Sequence, residues 1–143
     1  MIVTEYFPSI TLKSFLEELN SEFSQRIDLF QKICDCISYL HRQKILHSDL
    51  NVENILICPE TFEFKLIDFG LALNIKNEDV VLNIDEGNVN YRMKDTTSGD
   101  PFEIDNWGLQ LIFLSLSFGK VFTSNEVYVK INNYPKFQEI LWK

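Results

Sequence analysis

His47-Ser48-Asp49-Leu50-Asn51-Val52-Glu53-Asn54, followed after an apolar interval by Asp68-Phe69-Gly70, decides how this chain is read. Two carboxylates and an amide stand on polar loops beside short apolar runs. Ile45-Leu46 precedes the first motif, Ile55-Leu56-Ile57 follows it, and Phe64 to Ile67 leads into the second. With a Pro59-Glu60 turn between the last two runs, the pattern suits short strands edged by polar loops. Transfer of a phosphoryl group asks little covalent chemistry of a protein. It asks for positioning, metal-bound oxygens and a carboxylate at the attacking hydroxyl. Asp49 suits that carboxylate, and Asn54 and Asp68 suit the metal. Singly, each has a plainer explanation: Asp49 a loop or cap carboxylate, Asn54 a turn residue, Asp68 an Asx turn before Gly70.

Working outward, Met1 to Phe7 reads as a short strand stopped by Pro8. Thr11 is placed to cap a helix carrying Leu12, Phe15, Leu16 and Leu19. Ser21 or Ser24 opens a longer helix to about Gln43, with Ile27, Phe30, Ile33 or Cys34, Ile37 and Leu40 as its apolar stripe. Residues 71–103 are polar and without period, as in a loop. Glu103 to Gly119 reads as a helix apolar nearly all round, which places it at the centre of the domain, with Gly119 as its stop. The last 24 residues show no long helical pattern. The expected class is mainly α (α+β), with short β hairpins in one domain over residues 1–143.

Composition sets the outer limits. The 143 residues suffice for one hydrophobic core, and 45% hydrophobic with 24% charged residues argues against wholesale disorder. A net charge of −8 argues against the clustered basic surface that a nucleic-acid partner requires. The stretch from Leu109 to Phe118 is too short to span a membrane. Three cysteines, Cys34, Cys36 and Cys58, do not pair off, and no signal peptide is evident, so an intracellular, reducing setting is expected. Cys34 and Cys36, two apart on a helix, face different ways and read as buried small hydrophobes. His41, near a helix C-terminus, reads as solvated or facing the dipole.

The order and spacing of these motifs resemble the catalytic half of a eukaryotic-type protein kinase, its C-terminal lobe, with the N-terminal lobe absent ahead of Glu5. The resemblance implies a hinge at residues 4–8 with Thr4 as gatekeeper, a catalytic loop at 47–54, an activation segment at 68–95 and a central helix at 103–119. It implies ATP and Mg²⁺ as cofactors, with Glu5, Phe7 and Leu56 at the nucleotide, Asn54 and Asp68 at the metal, and Asp49 and Asn51 as catalytic residues. Asp105, near Trp107, matches the buried acid that anchors the catalytic loop, and His47 with Phe69 the lower hydrophobic spine.

Departures from the pattern carry information too. Ser48 stands where many kinases have Arg, so no cation adjoins the base to pair with a phosphorylated loop. Asn51 replaces the Lys that neutralises the transferred group; an amide hydrogen-bonds there without charge, where one preorganised donor contributes about 3–4 kcal/mol. Met93-Lys94-Asp95 occupies the place of Ala-Pro-Glu. No Gly-rich loop or strand lysine precedes Glu5.

Within the family, Phe102-Glu103-Ile104-Asp105-Asn106-Trp107-Gly108, Leu116 to Lys120, and the end Tyr134 to Lys143 are similar to BUB-type mitotic spindle checkpoint serine/threonine kinases. That likeness implies a checkpoint protein partner and a nuclear, kinetochore location; otherwise the cytoplasm is expected. Three readings stay open. One is a serine/threonine kinase acting on a protein substrate. Another is a catalytically inactive kinase-like module that associates through the face left by the missing lobe. The third is a small atypical kinase of the tRNA-modification type.

Overall fold

Thr11 begins the order of the chain. Its Oγ1 accepts from the Ser14 N–H at 3.1 Å and so caps a helix that starts one residue later. The computed structural model describes residues 5–18, 21–76, 82–94 and 99–133, with side chains through residue 130. In it, β1 (Ile10–Thr11) leads into α1 (Leu12–Glu18), which buries Leu12, Phe15 and Leu16 at the expected spacing; Leu19 lies outside the described residues. The strand expected over Met1 to Phe7 is not there in its described part. Residues 5–9 are irregular, and strand geometry begins only past Pro8, where Ile10 and Thr11 find partners in Ile57 and Leu56.

The long helix α2 (Phe23–Arg42) is opened by neither serine. Glu22 is its N-cap, in a reciprocal box with Gln25 whose Oε1 accepts from the Glu22 N–H at 3.0 Å. Its buried line is Leu29, Ile33 and Ile37, with Phe30 and Leu40 partly covered; Leu29 is an addition to the stripe read from sequence. Cys34 and Cys36 flank that line and are only half-buried, whereas Cys58 is buried. Lys44, at φ 62°, turns the chain out of α2 in the left-handed region.

Two antiparallel sheets follow among the described residues. β2 (Ile45–Leu46) pairs with β5 (Leu73–Asn74), and β3 (Ile55–Ile57) is the middle of a three-stranded sheet between β1 and β4 (Phe64–Leu66). β5 falls inside the stretch read as unstructured loop. Only the partner strand stabilises a two-residue ladder, and nothing local announces it.

The central helix α3 (Glu103–Phe118) lies against α2 and ends on Gly119 at φ 63°. It buries Trp107, Leu111, Ile112, Leu114 and Leu116, while Phe113 and Phe118 stay exposed near its C-terminal half. A helix absent from the sequence reading, α4 (Ser124–Asn133), packs Tyr128 flat on Trp107, and the Ser124 Oγ accepts from the indole N–H at 3.0 Å. Its signal was available: Thr123 and Glu126 form a Thr-x-x-Glu box, with the Thr123 N–H donating to Glu126 Oε2 at 2.8 Å. No helix among the described residues is long and apolar enough to cross a membrane.

Candidate active site

Residues 47–54 connect β2 to β3, and residues 67–72 connect β4 to β5. Because β2 pairs with β5 and β3 with β4, the two loops have both ends stapled together and must lie side by side. Cross-links confirm the closeness. The Ile67 N–H donates to the Asn54 carbonyl at 3.0 Å, and His47 Nε2 lies 2.9 Å from the Ile67 carbonyl, one residue before Asp68.

Beneath the first loop sits Asp105, completely buried in the first turn of α3. Its Oδ2 accepts from the His47 N–H and its Oδ1 from the Ser48 N–H, both at 2.9 Å. Two successive N–H groups can converge on one carboxylate because Ser48 takes φ 68°, the geometry of an anion nest. A left-handed non-glycine costs on the order of 1–3 kcal/mol and persists only when its surroundings over-determine it. His41 completes the set: its Nε2 lies 2.8 Å from Asp105 Oδ2. The solvated role expected for His41 is thereby corrected, since the ring is tied to a buried acid that sequence distance had hidden. Gly108, one turn along α3, lies so close to the loop that a Cβ there would meet the Leu50 backbone carbonyl.

His47 is itself fully buried, and its neighbours fix its tautomer. A carbonyl can only accept, so Nε2 carries the proton toward Ile67; the Asp49 N–H, 3.3 Å from Nδ1, can only donate, so Nδ1 presents its lone pair. Its ring meets Phe69 at 4.7 Å between centroids.

Asp49 is half-buried, and two amides orient it. Asn54 Nδ2 reaches both the Asp49 carbonyl (2.8 Å) and Oδ2 (3.0 Å), and Asn51 Nδ2 reaches the same carbonyl (3.1 Å) and Oδ1 (3.2 Å). Since these three oxygens can only accept, both amide nitrogens must face Asp49, and both amide oxygens are turned away. The consequences differ. Asn51 is buried, its oxygen accepts from the Glu53 N–H at 2.8 Å, and nothing of it is left to reach a phosphoryl group directly. Asn54 keeps an oxygen that no described residue satisfies. Asp68 is exposed, holds φ 59°, and uses only Oδ1 locally, toward the Gly70 N–H at 3.3 Å. Asn54 and Asp68 therefore offer an all-oxygen donor set, the kind Mg²⁺ takes.

The remaining expected contacts lie along the three-stranded sheet. Glu5 pairs with Lys65 at 2.9 Å, and the Lys65 ammonium stands 4.9 Å from the Phe7 ring. The Lys65 bond is the chief cause that holds the exposed Glu5 carboxyl below its ordinary range. Lys65 is the cross-strand partner of Leu56, whose side points away from the buried Ile55 and Ile57. So Glu5, Phe7 and Leu56 are linked through one lysine, and β3 joins Leu56 to Asn54. Thr4, Asp95 and Tyr134 to Lys143 lie outside the described residues.

Residues 82–94 cover Asp49 from the other side, a contact the sequence reading missed. The Asn88 N–H donates to Asp49 Oδ1 at 3.2 Å, and Asn88 Nδ2 to Glu53 Oε2 at 2.7 Å. Tyr91, buried nearby, has its hydroxyl pushed up to about 12, by burial first and then by Glu53 and Glu17.

Comparison with known proteins agrees with this geometry. The family model described as protein kinase domain matches residues 1–142. The carbon catabolite-derepressing protein kinase of Secale cereale is 32% identical over 124 residues, which are 84% of this chain and 24% of that protein. The SNF1-related protein kinase catalytic subunit alpha KIN12 of Arabidopsis thaliana is 31% identical over 121 residues, 82% of this chain and 24% of that protein. The chain thus spans about a quarter of the length of these curated relatives. Among solved structures, the yeast RNA Pol II CTD kinase CTDK-1 complex matches with a TM-score of 0.69 and 29% identity, over 80% of this chain and 39% of that one. None of these relatives is of BUB type.

Proposed function

Since this chain belongs to the protein kinase domain family, we propose that it supplies the catalytic half of an ATP-dependent serine/threonine-protein kinase acting on protein hydroxyls. The observation that carries the reading is the Asn54 amide. Both its donors are engaged on Asp49, so its oxygen is the one group it can offer, beside a loop whose Asp68 offers a second.

Asp49 orients the acceptor hydroxyl at Oδ2 and takes its proton as the oxygen attacks the γ-phosphorus and the bond to the leaving diphosphate breaks. Asn54 and Asp68 would hold Mg²⁺, which would offset charge on the phosphate oxygens. Asn51 is a positioning residue, since it acts on Asp49 and not on the transferred group. Glu5, Phe7 and Leu56 are assigned to the nucleotide's base.

A second reading, a kinase-like module that binds a protein without transferring phosphate, is favoured by Asn51, which brings no charge where the family has one. Phe69, 45% exposed, gives such a module part of a contact face. One experiment separates the two. In the full-length protein, Asp49→Asn abolishes phosphorylation while MgATP still raises the melting temperature, and Asp68→Ala removes that rise. Unchanged phosphorylation in Asp49→Asn sinks the assignment of the base; no MgATP response in the wild type favours the second reading.

The BUB-type checkpoint role and its nuclear, kinetochore location rest on the sequence likeness of residues 102–108, 116–120 and 134–143. Imaging of the tagged protein in dividing cells tests them, and a distribution that never marks kinetochores ends that reading.

A further inference from the structure

The peptide group that joins Gly87 to Asn88 is gripped at both ends. Its carbonyl accepts from Arg92 Nη2 at 3.0 Å, and its N–H donates to Asp49 Oδ1 at 3.2 Å. Arg92 and Asp49 thus face each other across a single peptide plane. The seat is tight. A Cβ on Gly87 would lie 2.9 Å from Asp49 Oδ1, and φ there is +85°, so a residue with a side chain would push the segment off the carboxylate. The next residue is fastened as well. Asn88 Nδ2 donates to Glu53 Oε2 at 2.7 Å, and Glu53 Oε1 pairs with Lys13 Nζ of α1 at 3.1 Å. The Lys13–Glu53 pair is more than a third exposed on both sides and adds little stability by itself, but it fixes where Glu53 points.

A cation at a peptide carbonyl draws electrons through the amide and makes its N–H a better donor. Linked hydrogen bonds strengthen one another by roughly 10–30% per bond. No carboxylate among the described residues pairs with Arg92, and its Nε has no partner among them, so no described residue cancels its charge.

We propose that Arg92 is a positioning residue for Asp49 that acts through the Gly87–Asn88 peptide. It keeps Oδ1 engaged with the segment and so leaves Oδ2 as the oxygen that meets the acceptor hydroxyl. This rests on the reading of Asp49 as the base.

The test uses the full-length protein with MgATP and dephosphorylated casein, together with amide hydrogen exchange. Arg92→Ala lowers kcat about tenfold, the loss expected for one charge-assisted hydrogen bond, with KM for ATP unchanged. Arg92→Lys, which keeps a cation, recovers part of that loss, and Lys76→Ala on the surface changes nothing. In the same Arg92→Ala protein the Asn88 amide exchanges at least tenfold faster. Should Arg92→Ala fold poorly, Asn88→Ala keeps the backbone N–H toward Asp49 but removes the side-chain donor to Glu53 that fastens the peptide, and it moves both readouts in the same direction. A folded Arg92→Ala with wild-type kcat and a protected Asn88 amide overturns the proposal. If instead Asp49→Asn keeps its activity, the base assignment is what fails; the exchange data then still judge the link between Arg92 and the peptide.

Discussion

Residues 47–54 and residues 67–72 run side by side between the same strand pairs, yet they are held by opposite means. The first loop stands on a buried acid: two N–H groups and a histidine meet Asp105, His47 is sealed from solvent, and Gly108 lets α3 press against Leu50. In the second, Asp68, Phe69 and Gly70 are all exposed, and past Ile67 the turn is shaped by two local hydrogen bonds, Ala72 N–H to the Phe69 carbonyl at 3.0 Å and Gly70 N–H to Asp68 Oδ1 at 3.3 Å, with the Phe69 ring against His47. One side of the site is therefore buried and tied to an acid beneath it, and the other, exposed and tied by fewer bonds, is the more adjustable of the two. The fixed side carries Asp49, proposed as the base, and the Asn54 amide, where direction matters most; the adjustable side carries a charge, whose pull depends less on angle.

The sharpest way to break this contrast is Asp105→Ala. It leaves two buried N–H groups and His41 without their acceptor, and loss of one partner from such a network costs about 3–5 kcal/mol. Urea unfolding measures it; a cost under 1 kcal/mol would mean the loop does not depend on its buried anchor. Next comes a pH effect on the same side. Tyr91 holds its proton to about 12 when folded, against 10.0 as its ordinary value. Between those values the folded state binds the proton and the unfolded state has lost it, so stability present below pH 10 declines as pH rises toward 12. Tyr91→Phe flattens that decline, read as unfolding free energy against pH; an unaltered slope would locate the alkaline loss elsewhere. The smallest effect belongs to the adjustable side. Asp68→Ala changes stability by no more than about 0.5 kcal/mol, as exposed positions do, even though it removes the MgATP response. A large destabilisation there would show that both loops are structural.

What could be read in advance follows the same division. Residues 47–54, the second motif and α3 announced themselves because polar residues at fixed spacing interrupt apolar runs, and the burial of Asp105 was implied by the resemblance to protein kinases. Thr11 and Gly119 were legible as caps because their signals are local. β5 was not, since two residues form a strand only when Ile45 and Leu46 lie opposite. His41 was misjudged because its partner is 64 positions away. The inward turn of Asn51 depends on the dihedrals between it and Asp49, which no residue pattern states. The Thr-x-x-Glu box opening α4 was legible and was passed over, because the apolar side of that helix is short.

The double stapling of the two loops has a consequence for how this region tolerates change. With β4 ending at Leu66 and β5 starting at Leu73, the arm carrying Asp68 has no slack to exchange with the rest of the chain. It travels by rotating its own bonds, like a crank with fixed bearings. A single inserted residue would therefore retune where its carboxylate stops, without loosening anything else.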